Sequence, residues 1–321
     1  MPSPLEQLSA RALDWLGAHL DFFDPFSASG RSATHGKAKA ALELALLCHR
    51  AARPDDGPDP LGGATALVRK LWQDPDFPGL FDELPAYTST YGLIYAALAP
   101  DGIDDTLCRA RLALLAPEFL APEGKSPYQR VEIRYYAEKA GVRHGIEPYA
   151  ALVPSSPLVA FTAAGSGAAG HAGAGPDDGA PGPGDGAPLA TPRAYALTHT
   201  AFYLGDFGRT DPRLDADTLE QARELVRVTL LHCVEHDRWD LAAELVLTQF
   251  ILGTDPLATP SGAAAVDCLL RAQRSDGAIP GRSAALKASP AASAGEFFAK
   301  AYHTTLVTAL MASIVSSPRP S

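Results

Sequence analysis

The segment AYALTHTAFYLGDFG (194–208) is almost free of charge, yet it keeps a histidine and an aspartate. As a helix it would carry Tyr195, His199, Phe202 and Asp206 at i, i+4, i+7 and i+11, one stripe on one face. An imidazole, with an unperturbed pKa near 6.5, suits proton transfer at neutral pH, so His199 is the candidate acid or base. Asp206 is a candidate carboxylate partner. A second candidate lies in SPYQRVEIRYYAEKAG (126–141), where Glu132 sits between Val131 and Ile133 and shares a face with Tyr135 and Tyr136. A carboxyl group in such surroundings is suited to general acid work. Tyr87, Tyr195, Tyr302 and His303 stand near the starts of apolar helical segments and are the candidate substrate-binding groups. Each has a structural alternative: His199 and Thr198 can satisfy carbonyls in a packed core, and Asp206, between Gly205 and Gly208, can cap a turn or pair with Arg209.

Three further patterns are weaker. His35, His199 and His303 would together supply a three-histidine zinc set, but nothing in their spacing brings them together. His232-Cys233-Val234-Glu235-His236 fits the inverted zinc-protease pattern, yet it ends a helix just before a turn, where histidines meet a favourable dipole. LDADT (214–218) is similar to the acidic proton donor of isoprenoid cyclases but lacks its third aspartate, so helix capping is expected there, by Asp217 and Glu220. DFFDPF (21–26) reads as a hydrophobic plug at the end of the first helix. No metal site is expected. With no phosphate-binding loop, dinucleotide glycine pattern or kinase signature, no cofactor is expected either.

The elements that must position these groups are helical. Apolar residues recur with helical spacing, and Gly, Pro and Asp punctuate the gaps, which predicts helices over 4–20, 35–51, 61–73, 87–99, 104–117, 127–141, 194–205, 216–235, 238–253, 261–273 and 295–315, with a short one at 146–153. They pair naturally, the second of each pair being the more apolar. AYTSTYGLIYAALA (86–99), AYALTHTAFYLGDF (194–207) and AYHTTLVTALM (301–311) all open on Ala-Tyr. Repeated two-helix units predict an all-α, (α/α) toroid of about six hairpins, a single domain over 1–321. A Gly/Ala/Pro-rich stretch within 162–190 is expected to be a disordered insertion.

Across the 321 residues, 37 acidic against 27 basic side chains give a net charge of −10, which argues against nucleic-acid partners and anionic membranes. Ser3-Pro4-Leu5-Glu6 starts a helix rather than a signal peptide. Four cysteines in apolar runs, none in a CxxC, fit a reduced, cytoplasmic protein.

Two resemblances follow. LLRAQRSDGAIPGR (269–282) resembles the helix-end repeat of α/α-toroid enzymes such as triterpene cyclases through Leu269, Leu270, Gln273 and Gly277, with Ile279 where tryptophan is usual. The whole chain resembles a family of actinobacterial helical proteins of unknown function, marked by T-H-T-x-F-Y-L-x-D-F-G (Thr198–Gly208) and Y-H-T-T (Tyr302–Thr305). The toroid resemblance implies a site in the central cavity. The expected function is an intracellular enzyme of specialised metabolism, a hydrolase, lyase or cyclase acting on a small molecule or peptide. The alternative is a non-catalytic helical-repeat scaffold for a peptide or partner enzyme.

Overall fold

The computed structural model describes residues 2–29, 37–51, 60–163, 187–282 and 293–317, and every regular element among them is a helix. Six outer–inner pairs follow one another. α1 (Pro4–Ala18) leads through the short α2 (Leu20–Phe23) to α3 (Lys37–Ala51), and α4 (Gly62–Gln73) precedes α5 (Thr88–Ala97). α6 (Thr106–Leu112) precedes α7 (Pro127–Lys139); after a single turn, α8 (Tyr149–Leu152), α9 (Pro157–Ala163) precedes α10 (Thr191–Leu204). α11 (Ala216–Glu235) pairs with α12 (Trp239–Ile251), and α13 (Pro260–Ala272) with α14 (Ala294–Val315).

The inner helices touch in a closed cycle: α3 on α5, then α7, α10, α12 and α14, which packs back on α3. α1 lies against α14 and α13, covering the seam between the first and last pairs. This is the connectivity that the repeated hairpins predict. It also explains why the inner members are the more apolar. A helix with neighbours on every side cannot keep a polar face toward water, and all residues from Leu241 to Ile251 of α12 are buried.

Local chemistry sets the helix ends. Ser3 with Glu6, Ser126 with Gln129 and Ser293 with Glu296 each form a reciprocal capping box, worth about 1 kcal/mol per cap. In LDADT the cap is Asp215, whose carboxylate accepts the Thr218 N–H at 2.9 Å, rather than Asp217. Between α4 and α5, Trp72 Nε1 donates to the Tyr95 carbonyl while the Tyr95 hydroxyl donates to the Trp72 carbonyl, a reciprocal pair closing one seam. The toroid-like motif of 269–282 does structural work. Gln273 Nε2 reaches the carbonyls of Leu8 and Gly277, both at 3.2 Å, and Gly277 (φ +96°) lies so close to Arg11 that a Cβ would stand 2.1 Å from its carbonyl oxygen. DFFDPF forms the expected plug, with Phe23 buried edge-on against Phe298 and Tyr302.

The predicted insertion is narrower than 162–190. Its first residues finish α9, and on its far side Leu189 is buried with its N–H donated to the Thr229 hydroxyl at 3.2 Å. Residues 164–186 and His35 lie outside the described residues. The four cysteines are buried and form no disulfide, and among the described residues no helix is long and apolar enough to cross a membrane.

Candidate active site

The cycle encloses a cavity of about 910 Å³ to which all six inner helices contribute side chains. Its residues are drawn mostly from the N-terminal and middle turns of those helices, so the cavity opens at the end of the ring where the inner helices begin. Tyr87 stands at this mouth, 52% exposed, with its ring stacked on Tyr91 at 5.5 Å. Of the sequence-predicted site residues, Tyr87, Glu132, Tyr195, His199 and His303 line the cavity together. Tyr302 and Asp206 do not.

His199 is held in a chain of polar contacts. Its Nε2 lies 3.5 Å from Glu244 Oε1, and its Nδ1 lies 3.2 Å from the Tyr128 hydroxyl. That hydroxyl also lies 3.2 Å from Glu132 Oε1, which accepts a second hydrogen bond from Tyr203 at 3.0 Å. Glu244 has only 2% of its side chain exposed, and its other oxygen accepts from the Thr198 hydroxyl at 2.5 Å. Glu132, Tyr128, His199 and Glu244 thus form one continuous path across α7, α10 and α12. The Tyr195 hydroxyl, one turn toward the mouth, donates to Asp240.

A second imidazole–carboxylate pair stands on another wall: His303 Nδ1 lies 3.2 Å from Glu43 Oε2, and Lys39 lies 3.5 Å from Glu43 Oε1. The two dyads share a design. In each, a carboxylate from one inner helix holds a histidine from its neighbour, and about a third of the histidine side chain remains exposed to the cavity.

The protonation states follow from these contacts. Burial pulls the His199 imidazolium down, but Glu244 and then Glu132 outweigh it, so the pKa is raised above the usual 6.5. His303 is raised in the same way, burial being outweighed by Glu43. Glu43 moves oppositely: burial pushes it up, and His303 with Lys39 brings it below its ordinary value. Burial raises Glu132, and the Tyr203 and Tyr128 hydrogen bonds with the His199 charge offset this only in part. Glu132 therefore keeps its proton to a higher pH than an ordinary glutamic acid. The ring thus brings to one level a carboxyl group and two imidazoles that each hold a proton to higher pH than usual.

Asp206 belongs elsewhere. α10 ends at Leu204, and the chain then turns through left-handed residues, Asp206 (φ 42°) and Phe207 (φ 56°), so the expected stripe stops at Phe202 and Tyr203. The Asp206 carboxylate meets Arg50 at 2.5 Å, Lys139 at 3.0 Å and the Tyr135 hydroxyl at 2.9 Å, below the cavity floor. These, and not Arg209 or its own amides, are its partners. Glycine at 208 is required, because its φ is +90° and a Cβ would meet the Phe250 ring at 2.8 Å. Tyr302 packs its ring on Phe298 and faces Glu43 from behind the dyad.

His232, Glu235 and His236 have ligand atoms within 4.8 Å of one another, and they form the metal-compatible cluster found among the described residues. His232 and Glu235 end the outer helix α11 and His236 caps it, while the glutamate that follows them in sequence, Glu244 on α12, lines the central cavity instead.

Segment-by-segment motifs do not single out Glu43, Tyr128, Tyr203 or Glu244. A signal was present: AALEL (40–44) and LAAEL (241–245) each place one glutamate inside an otherwise apolar helical run. A charge there needs a partner, and in both cases the partner is a cavity histidine.

No curated protein and no solved structure matches the chain. Over residues 9–313, nearly its full length, it matches the family model described as Domain of unknown function (DUF6895), and it belongs to that family.

Proposed function

We propose that the protein is an acid–base enzyme whose substrate lies in the central cavity, with His199 as the proton-transfer residue. The observation that carries this reading is the path Glu132–Tyr128–His199–Glu244, which links a proton-retaining acid to an imidazole that faces open space. Glu244 orients the ring and stabilises its cation. Tyr128 can pass a proton between Glu132 and His199, so the imidazole is restored after each transfer. The His303–Glu43 pair stands on α14 and α3, the helices that follow α12 round the cycle, and supplies a second proton-handling group on the adjoining wall of the cavity. Two such groups on adjoining walls of one cavity suit an elimination or hydrolysis, in which a base takes one proton and an acid gives one to the departing oxygen. Four buried cysteines in thiol form support an intracellular setting.

A scaffold reading would need a broad concave face. Packing of α14 on both α1 and α3 closes the cycle and favours the enzyme. The test is a titration of the full-length protein followed by NMR, with carbon detection of Glu132 and ring-proton detection of His199. Both groups are expected to hold their protons above their ordinary ranges, and His199→Ala should abolish turnover in a panel of elimination and hydrolysis substrates while the protein stays folded. Ordinary titration of both groups would overturn the reading.

A further inference from the structure

Depth along the cavity divides its chemistry. On each inner helix the lining residues recur every three or four positions, so each step descends about 5 Å. The upper level carries Glu43, Thr90, Glu132, His199, Glu244 and His303, one polar residue from each of the six helices. One step deeper, the same helices present Leu46, Ile94, Tyr136, Phe202, Leu247 and Leu306. Below these, Leu98, Phe207 and Leu310 close the floor. The change from polar to apolar falls at one level all round the ring.

The lower half offers a ligand almost no hydrogen bonds. Its two hydroxyls, on Tyr136 and Tyr203, are engaged with each other, and that of Tyr203 also donates to Glu132. A sugar or a polar peptide placed there would lose its bonds to water without replacement, at a cost of roughly 1–3 kcal/mol for each polar group. Hydrocarbon would be favoured by about 0.8 kcal/mol per buried methylene. Within the belt each histidine already faces its own glutamate and Glu132 favours its neutral form, and the further charge on the lining, Lys39, stands half exposed one turn nearer the mouth with its ammonium on Glu43. An ionic head group would have to break one of these pairs.

From this layering we infer that the substrate is an amphiphile: a hydrocarbon body seated below the belt, carrying one uncharged oxygen function, hydroxyl or carbonyl, at the level of Glu132 and His199. The inference rests on the acid–base reading for where the reacting atoms lie, but the apolar floor is a separate observation.

Isothermal titration of the full-length protein with n-alkanols from hexanol to decanol tests it. Affinity should tighten about three- to fourfold per added methylene, the factor that 0.8 kcal/mol gives, with one alkanol bound per chain. Decanoate should bind at least tenfold more weakly than decanol at neutral pH. Leu46→Trp, which fills the lower cavity from a half-buried position, should flatten the chain-length series, and Glu132→Gln should weaken every alkanol alike and leave the slope intact. A flat series with the parent protein, tighter binding of decanoate, or preferential binding of maltose overturns the proposal. These outcomes separate it from the enzyme reading: a flat series beside perturbed titrations removes only the amphiphile, and a steep series beside ordinary titrations removes only the acid–base function.

Discussion

The two ends of the ring use the same residue types for opposite purposes. At the upper belt, acids, histidines and tyrosines are paired with one another yet turn one side to open space. Beneath the floor, Asp206, Arg50, Lys139 and Tyr135 are also paired, but Arg50 has 1% of its side chain exposed and stacks over the Phe207 ring at 4.9 Å. The difference teaches that pairing alone does not mark a site. What separates them is where the paired groups face: His199 and His303 keep about a third of their side chains on the central cavity, whereas Asp206, Lys139 and Tyr135 border a separate hollow of about 810 Å³ and Arg50 is sealed between the two.

The largest effect expected belongs to the lower end. Asp206→Ala leaves the Arg50 guanidinium buried without its carboxylate, and loss of one partner of a buried pair costs about 3 kcal/mol or more. Urea unfolding should show that loss, with belt titrations unchanged. A loss below about 1 kcal/mol would mean that Lys139 and Tyr135 hold nothing essential there, and the contrast between the two ends would collapse. Gly208→Ala is next. Its φ of +90° and the approach to Phe250 at 2.8 Å predict a cost of about 2 kcal/mol, again with no change at the belt.

This contrast also shows what the sequence makes legible. Helix spacing and the Ala-Tyr openings are enough to read the hairpins, because every inner helix obeys the same burial requirement and repeats its pattern. Helix α9 was not legible, since its apolar run LVAFTA flows into the Gly/Ala-rich stretch with no punctuation. Five of the seven candidate site residues share the cavity because helical periodicity fixes which face they occupy. Asp206 departs from them because periodicity holds only to the helix end, and the left-handed turn at 206–207 cannot be counted in steps of 3.6. The dyads were hidden for another reason. Glu43 lies 260 positions from His303, and no local pattern encodes that meeting.

At the belt, Glu132→Gln should behave in the opposite way to Asp206→Ala. The amide keeps an acceptor for Tyr128 and Tyr203, and it replaces a group whose neutral form burial already favours. Its stability cost should stay under about 1 kcal/mol, while proton delivery is lost altogether. A cost as large as that of Asp206→Ala would make Glu132 a core residue and deprive His199 of its role as an acid fed through Tyr128.

The smallest effect is in pH dependence, and its sign is fixed. His199 and His303 have folded pKa values above the unfolded value of 6.5, so each dyad's contribution to stability is complete below 6.5 and is lost as pH rises through the elevated pKa. Glu132, raised above 4.5, has the same sign over a window that begins lower. Stability measured by urea unfolding should therefore decline as pH rises from about 6.5 through the raised histidine pKa values. Glu244→Gln removes the carboxylate that raises His199, leaving burial to lower its pKa, so that decline should shrink and His199 should titrate below its parent value. The Asp206→Ala protein should keep the full decline, since its carboxylate contacts neither dyad. If instead Asp206→Ala abolishes the decline and Glu244→Gln preserves it, then proton chemistry belongs to the lower end of the ring, and the belt is the structural half.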